Sequence, residues 1–328
     1  MTRRCRCRSA APSGREATHD RNTHGSERDS KGSGALIASV RFLAVIAAAS
    51  VAVVGTLSAS ATRPLPSARA MSATPAMPQR IVSMNLCTDQ LVLALADRQQ
   101  IAGLTRNATD PGMSDQAAAA QGLPVLRNSA EQILAINPDL VVGMPASGSA
   151  VLAAVAPQRY PLLDLETANR LDQIYRTIDE TAAAVGHPAR GAALIAGMKR
   201  DLATLPRLGR GRVAAYYQRR GYMTGTGTLV DDMMTRVGLT NLAKSLGKPP
   251  LSQLSLEEMV AARPDFLIVE RATNVVDDQG SEMLHHPALS DIPRIVVHEA
   301  WTVCGSPAYT RAVRSIAAQI ARHDGTVR

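Results

Sequence analysis

Two periods of hydrophobic and polar positions alternate along residues 80–322. Short apolar runs such as Ile81-Val82, Leu140-Val141-Val142 and Phe266-Leu267-Ile268-Val269 read as buried strands. Stretches with apolar residues at helical spacing separate them. The first half reads as strand 80–85, helix 88–97, strands near 101–104 and 124–126, helix 130–136, strand 139–143, helix near 148–155 and strand 160–164. Residues 171–205 are helical by pattern, with one break at Gly186-His187-Pro188. Proline suits a first helical turn, so 188–205 reads as one long helix. A second series of strands and helices opens at Arg212 and closes with helix 310–322. Strands alternating with helices predict an α/β fold.

The second series echoes the first. Ser129-Ala130-Glu131-Gln132 through Pro138-Asp139-Leu140-Val141-Val142 aligns with Ser255-Leu256-Glu257-Glu258 through Pro264-Asp265-Phe266-Leu267-Ile268 at a constant offset of 126. Each copy opens on a serine suited to cap a helix, with an acid in the first turn where the helix dipole favours it. Each then breaks at Pro-Asp and runs into an apolar strand. Upstream, Arg80-Ile81-Val82 and Arg212-Val213-Ala214 read as the opening strand of each half, 132 apart. The repeat predicts two α/β lobes of similar plan, joined by the long helix.

Charge and cysteine count change this picture mainly at the beginning of the chain. The formal charge is +8, yet residues 1–61 hold nine Lys/Arg against four acids. Without them 27 basic residues face 24 acidic ones, and the charge argument for nucleic acid disappears. Residues 1–34 are polar and aperiodic, a disordered leader or a mis-called start. Arg41 followed by the apolar run Phe42–Leu57 and by Ala59-Ser60-Ala61 reads, over 35–61, as a secretory signal cleaved near Ala61. Export to the periplasm follows, with 62–79 as a linker. Cys5 and Cys7 leave with the leader, and Cys87 and Cys304 remain. They stand at opposite predicted strand ends, where they can contact ligand, ligate a metal, pair as a disulfide or simply be buried.

The segments RIVSMNLCTDQLVLALA, SAEQILAINPDLVV, SLEEMVAARPDFLIV and WTVCGSP, with the GHP break between the halves, resemble the periplasmic binding proteins of iron–siderophore and cobalamin ABC importers. The resemblance spans about 80–322. It implies two Rossmann-like lobes, 80–187 and 206–328, joined by a single helix at 188–205, with ligand between them; a long helix is stiffer than paired strand crossovers, so little closing motion is expected. It implies a monomer that captures a metal chelate (ferric siderophore, cobalamin or haem), needs no cofactor and delivers its cargo to an inner-membrane permease dimer. A glutamate on each lobe's rim would meet permease arginines; by position these are Glu131 and Glu257.

In parallel α/β sheets ligands lie beyond the carboxyl ends of strands. Those ends supply Asn85, Leu86, Cys87 and Arg106 in the first lobe. In the second they supply Tyr217, Arg219, Arg220, Tyr222, Arg271, Trp301 and Cys304. Aromatics are scarce, and their gathering at strand ends suits a flat or greasy ligand. The guanidiniums suit carboxylates or anionic chelates. Strand alternation turns Tyr216 away from the side Tyr217 faces, and Tyr217 is expected in the cleft. The histidines show no metal-ligating spacing. The rival reading is an exported enzyme or cofactor-handling protein on the same bilobed fold. The sequence has no GxSxG, HExxH or phosphate-loop pattern to favour catalysis.

Overall fold

Residues 77–325, apart from 128, 147, 148 and 277, are described by the structure, a computed structural model. The leader, signal and most linker readings, over 1–76, lie outside them. The first half runs β1 (Ile81–Ser83), α1 (Leu86–Leu95), β2 (Ile101–Thr105), α2 (Ala117–Ala120), β3 (Val125–Leu126), α3 (Ala130–Ile136), β4 (Leu140–Gly143), α4 (Ala150–Val155) and β5 (Leu162–Asp164). Its five strands pair parallel in the order β3-β2-β1-β4-β5. Helices α5 (Leu171–Ala184) and α6 (Pro188–Ala203) follow. The second half runs β6 (Val213–Tyr217), β7 (Tyr222–Thr224), α7 (Leu229–Val237), β8 (Thr240–Asn241), α8 (Leu242–Ser245), β9 (Leu251–Gln253), α9 (Leu256–Ala262), β10 (Phe266–Glu270), α10 (Gln279–Glu282), β11 (Arg294–Val297), α11 (Glu299–Thr302) and α12 (Tyr309–His323). Its sheet has the order β11-β10-β6-β7-β9, with β8 beside β6. Here the structure departs from an all-parallel plan, because β7 runs antiparallel to both β6 and β9. The tight turn between β6 and β7 uses left-handed backbone at Arg220 (φ 56°) and Gly221 (φ 75°).

The echoed Pro-Asp has a physical task. Each short helix ends on a left-handed residue, Asn137 or Arg263, just before the proline. The aspartate then grips the opening strand of its own half. Asp139 Oδ1 accepts from the Arg80 amide at 2.7 Å, and Asp265 Oδ2 accepts from the Val213 amide at 2.7 Å. The aspartate amides donate back to the carbonyls of Arg80 and Val213. The structural partner of Arg80 is therefore Val213 rather than Arg212, one residue from the expected register.

Residues of both halves share one core. Leu91 of α1, Ile174 and Ile178 of α5, Tyr216 of β6 and Ile316 of α12 all belong to it. Helix α6 begins at Pro188, as its proline dictates, and ends at Ala203, two residues short of the expected limit. His187 anchors its start, with Nε2 at 3.0 Å from Gln100 Oε1 and 3.2 Å from Asp97. Three further contacts join the halves. Cys87 and Cys304 form a disulfide with Cα atoms 5.3 Å apart. Arg311 of α12 pairs with Asp115, which follows β2. Gly305 packs against Ala168 so closely that a side chain at 305 would collide with the Ala168 carbonyl and sit 2.7 Å from its Cβ.

Candidate functional site

A cavity of about 280 Å³ lies between the halves, beyond the carboxyl ends of the central strands. Its position is the one that strand topology favours for ligands. From the first half, Cys87 follows β1, Met113 follows β2, Met144 follows β4, and Thr167–Asn169 follow β5. From the second, Tyr216 lies near the end of β6 and Gln218 follows it, Glu270 closes β10, and Glu299 and Thr302 come from α11.

Neither tyrosine of β6 faces the side expected of it. Tyr216 lines the cavity, whereas Tyr217 is fully buried on the opposite face of the sheet. Its hydroxyl donates to the Leu254 carbonyl at 2.9 Å, within a core that includes Leu267 and Met259. Burial pushes its phenol up to about 12, with help from Glu257 and Glu258. Alternation holds along β6, but both faces of the sheet are covered, so an apolar run carries no mark of which face meets the cleft.

Of the alternatives open for the two cysteines, the structure has the disulfide. Cys304 is buried and, like Cys87, is held in the disulfide, so neither sulfur is a free metal ligand. Cys87 still lines the cavity.

The expected arginines do not line it. Arg219 pairs with Asp278, and Arg271 Nη1 lies 3.1 Å from His298 Nε2. The His298 ring in turn packs on Trp301, centroids 4.4 Å apart. Arg220 sits exposed on the β6–β7 turn, and Arg106 is exposed beyond β2. Tyr222 is 41 % exposed and lies outside the cavity wall. Asn85 caps α1, accepting from the Thr88 amide at 3.0 Å and donating to the Met144 carbonyl at 2.8 Å. Leu86 is half-buried in the first turn of α1 and also stands off the wall.

Sequence reasoning missed the acidic centre. The Tyr216 hydroxyl donates to Glu270 Oε1 at 2.9 Å, and Gln218 Nε2 donates to the same oxygen at 2.8 Å. Burial, reinforced by Glu270, holds the Tyr216 phenol well above its usual range, so it stays a donor. Glu299 is pushed up to about 7, first by burial, then by its hydrogen bond to Glu270 and the charge there; Arg219 pulls it down and Asp110 pushes it up. The available signal was the charged residue ending the apolar run Phe266–Val269.

The sign of the pH effect follows. A folded pKa raised above the ordinary 4.5 means that folding favours the protonated acid. That contribution is fully present below about 4.5 and is lost as pH rises through about 7. Asp89, buried between α1 and β2 and pushed up to about 6 by burial, acts in the same direction at lower pH. The melting temperature of the wild type should fall more between pH 5.5 and pH 8 than that of Glu299→Gln, by a few degrees. Parallel curves would mean that Glu299 is ionised throughout.

A family model for periplasmic binding proteins matches residues 81–295. A cobalamin-binding protein of Halobacterium salinarum is 22 % identical over 213 residues, covering 63 % of this chain and 58 % of that protein. An uncharacterized ABC transporter substrate-binding lipoprotein of Bacillus subtilis is 21 % identical over 205 residues, covering 58 % of this chain and 63 % of its own length. The chain thus spans about three-fifths of the curated relatives it matches. Among solved structures, the periplasmic haem-binding protein RhuT from Roseiflexus sp. RS-1 matches with a TM-score of 0.61 and 27 % identity, covering 74 % of this chain and 98 % of that one. The periplasmic vitamin B12-binding protein BtuF of Vibrio cholerae matches with a TM-score of 0.58 and 16 % identity, covering 76 % and 98 %. With two strand-end walls facing one cavity and a family match that runs from β1 into β11, the chain belongs to the periplasmic binding protein family.

Proposed function

We propose that this chain is the binding component of an ABC importer, exported to the periplasm, which holds a metal chelate between its halves and delivers it to a permease. The observation that carries this reading is the cavity walled by both halves at their strand ends. Relatives and structural neighbours named for cobalamin and haem point to the same ligand class. At about 280 Å³ the cavity falls just below the roughly 300–1,000 Å³ typical of small-molecule sites. A macrocyclic chelate therefore enters by an edge and leaves the rest outside. Leu86, Arg219, Arg271 and Trp301 adjoin lining residues in the chain, Asn85 donates to the carbonyl of the lining Met144, and Tyr222 is exposed on β7; these are the proposed contacts for the outer part, with Arg106 and Arg220 further out. Glu131 and Glu257, exposed at the starts of α3 and α9, are the proposed permease contacts.

Calorimetric titration of the purified protein with cyanocobalamin, haemin and ferrioxamine B tests the reading. Saturable one-to-one binding of at least one of them is the expected result. Failure to bind any would overturn it.

A further inference from the structure

On the strength of the importer reading, we propose that Glu270 and Glu299 select the class of chelate. The cleft takes neutral or cationic complexes whose rim carries hydrogen-bond donors, as the primary amides of a corrinoid do. It rejects complexes fringed by free carboxylates, as haem is.

The wall chemistry supports this. The described lining residues include two carboxyl groups and no Lys, Arg or His. The donors nearest the carboxyls already have acceptors, since Tyr216 and Gln218 both donate to Glu270 Oε1. Glu270 is 8 % exposed, and Glu299 is half-buried in the same wall. A wall that holds two carboxyl groups and no cationic side chain suits a ligand that brings donors. A carboxylate brings acceptors and a like charge into a partly desolvated site, and both go unmatched.

The charges around the pair do not reverse its sign. Asp110, from the first half, adds negative potential at Glu299. Arg219 acts on Glu299 in the opposite sense, but its guanidinium is paired with Asp278 on the approach to α10. Apolar wall comes from both halves, Met113 and Met144 from the first and Leu229, Val230 and Val303 from the second, and suits the face of a macrocycle.

The test is a ligand series at pH 7.5 with the wild type, Glu270→Gln, Glu299→Gln and the double variant. Glutamine keeps an oxygen that can accept from Tyr216 and Gln218, and circular dichroism melts check that each variant folds. The wild type should bind cyanocobalamin, neutral and fringed with amides, at least about tenfold more tightly than haemin, a dicarboxylate. The double variant should tighten haemin about tenfold and weaken cyanocobalamin, since neutralising the pair removes both a repulsion and a strong acceptor. Such opposite shifts are not what a general loss of packing produces.

Binding of ferrioxamine B, a cationic complex, in preference to haemin also supports the proposal. Equal or tighter haemin binding by the wild type overturns it, and this comparison needs no variant. So does a double variant that moves both ligands in the same direction. Either result leaves the importer reading standing; that reading fails only if the wild type binds none of the three.

Discussion

Reduction of the Cys87–Cys304 disulfide should lower the unfolding free energy by as much as about 5 kcal/mol, because the bond joins positions 217 residues apart. In the chain-entropy account the cost falls on the unfolded state, which gains the freedom the bond had removed. Typical losses, about 2–5 kcal/mol, are a large part of the ~5–15 kcal/mol that holds an ordinary domain folded. Urea unfolding of the oxidised protein, the reduced protein and the Cys87→Ala/Cys304→Ala variant provides the measurement. The reduced and alanine forms should coincide at a lower midpoint, since alanine adds no polar group where Cys304 is buried. A shift below about 1 kcal/mol would show that the remaining contacts already restrict the unfolded chain as much as the bond does.

The bond also joins the two walls of the cavity. Cys87 opens α1 in the first half, and Cys304 lies between α11 and α12 in the second. Together with the shared core and the close approach of Gly305 to Ala168, it restricts how far the halves can separate. This extends the expectation of limited closure, drawn from the long helix alone. Such a bond is characteristic of oxidising compartments, which agrees with the proposed export.

What could be read from the sequence was whatever local chemistry determines. The Ser-x-Glu and Pro-Asp echoes marked α3, α9, β4 and β10, because capping serines and a strand-gripping aspartate act within a few residues of the elements they define. Helix α3 spans 130–136 as expected, and the break at Gly186–Pro188 separates α5 from α6. The placement of the cavity at strand ends followed from topology. The identity of its walls did not. Choosing between Tyr216 and Tyr217 required knowing which covered face of β6 turns toward the other half. The arginines drew attention by charge, yet Arg219 and Arg271 meet Asp278 and His298, partners 59 and 27 residues away. Glu270 and Glu299 are joined by neighbouring strands β10 and β11, a pairing that no local pattern announces.

Charge reversal at both echoed glutamates should abolish import while leaving chelate affinity almost unchanged. Glu131 and Glu257 both occupy the second position of their helices, while Ser129 and Ser255 cap by accepting from the third-position amides of Gln132 and Glu258. Gln132 accepts from the Arg127 amide at 2.7 Å, and Glu258 accepts from the Ser255 amide and from Lys248, each at 3.0 Å. Glu131 still bonds its own amide and Ser129, which hold its carboxyl below the usual range, so its helix-end contribution is not zero. An acid there stabilises a helix by only about 0.3–1 kcal/mol. Both glutamates are exposed beside β3 and β9, edge strands that contribute no described residue to the cavity wall. Glu257 borders an open surface groove lined by Leu256, Val260, Ala261, Arg263 and Ala288. An exposed ion pair is worth about 0.2–1 kcal/mol, whereas close charge pairs across an interface reach about 1.5–7 kcal/mol. Each single alanine variant should therefore weaken docking measurably, and the double variant should weaken it more. Glu131→Arg with Glu257→Arg should be worst, because like charges then face each other at both rims. Raised salt should reproduce part of the loss. Docking and uptake by vesicles carrying the permease, measured beside chelate titration and thermal melts, separate the two roles. If the alanine variants dock normally but melt several degrees lower, the glutamates act on their own helices and the permease is gripped elsewhere.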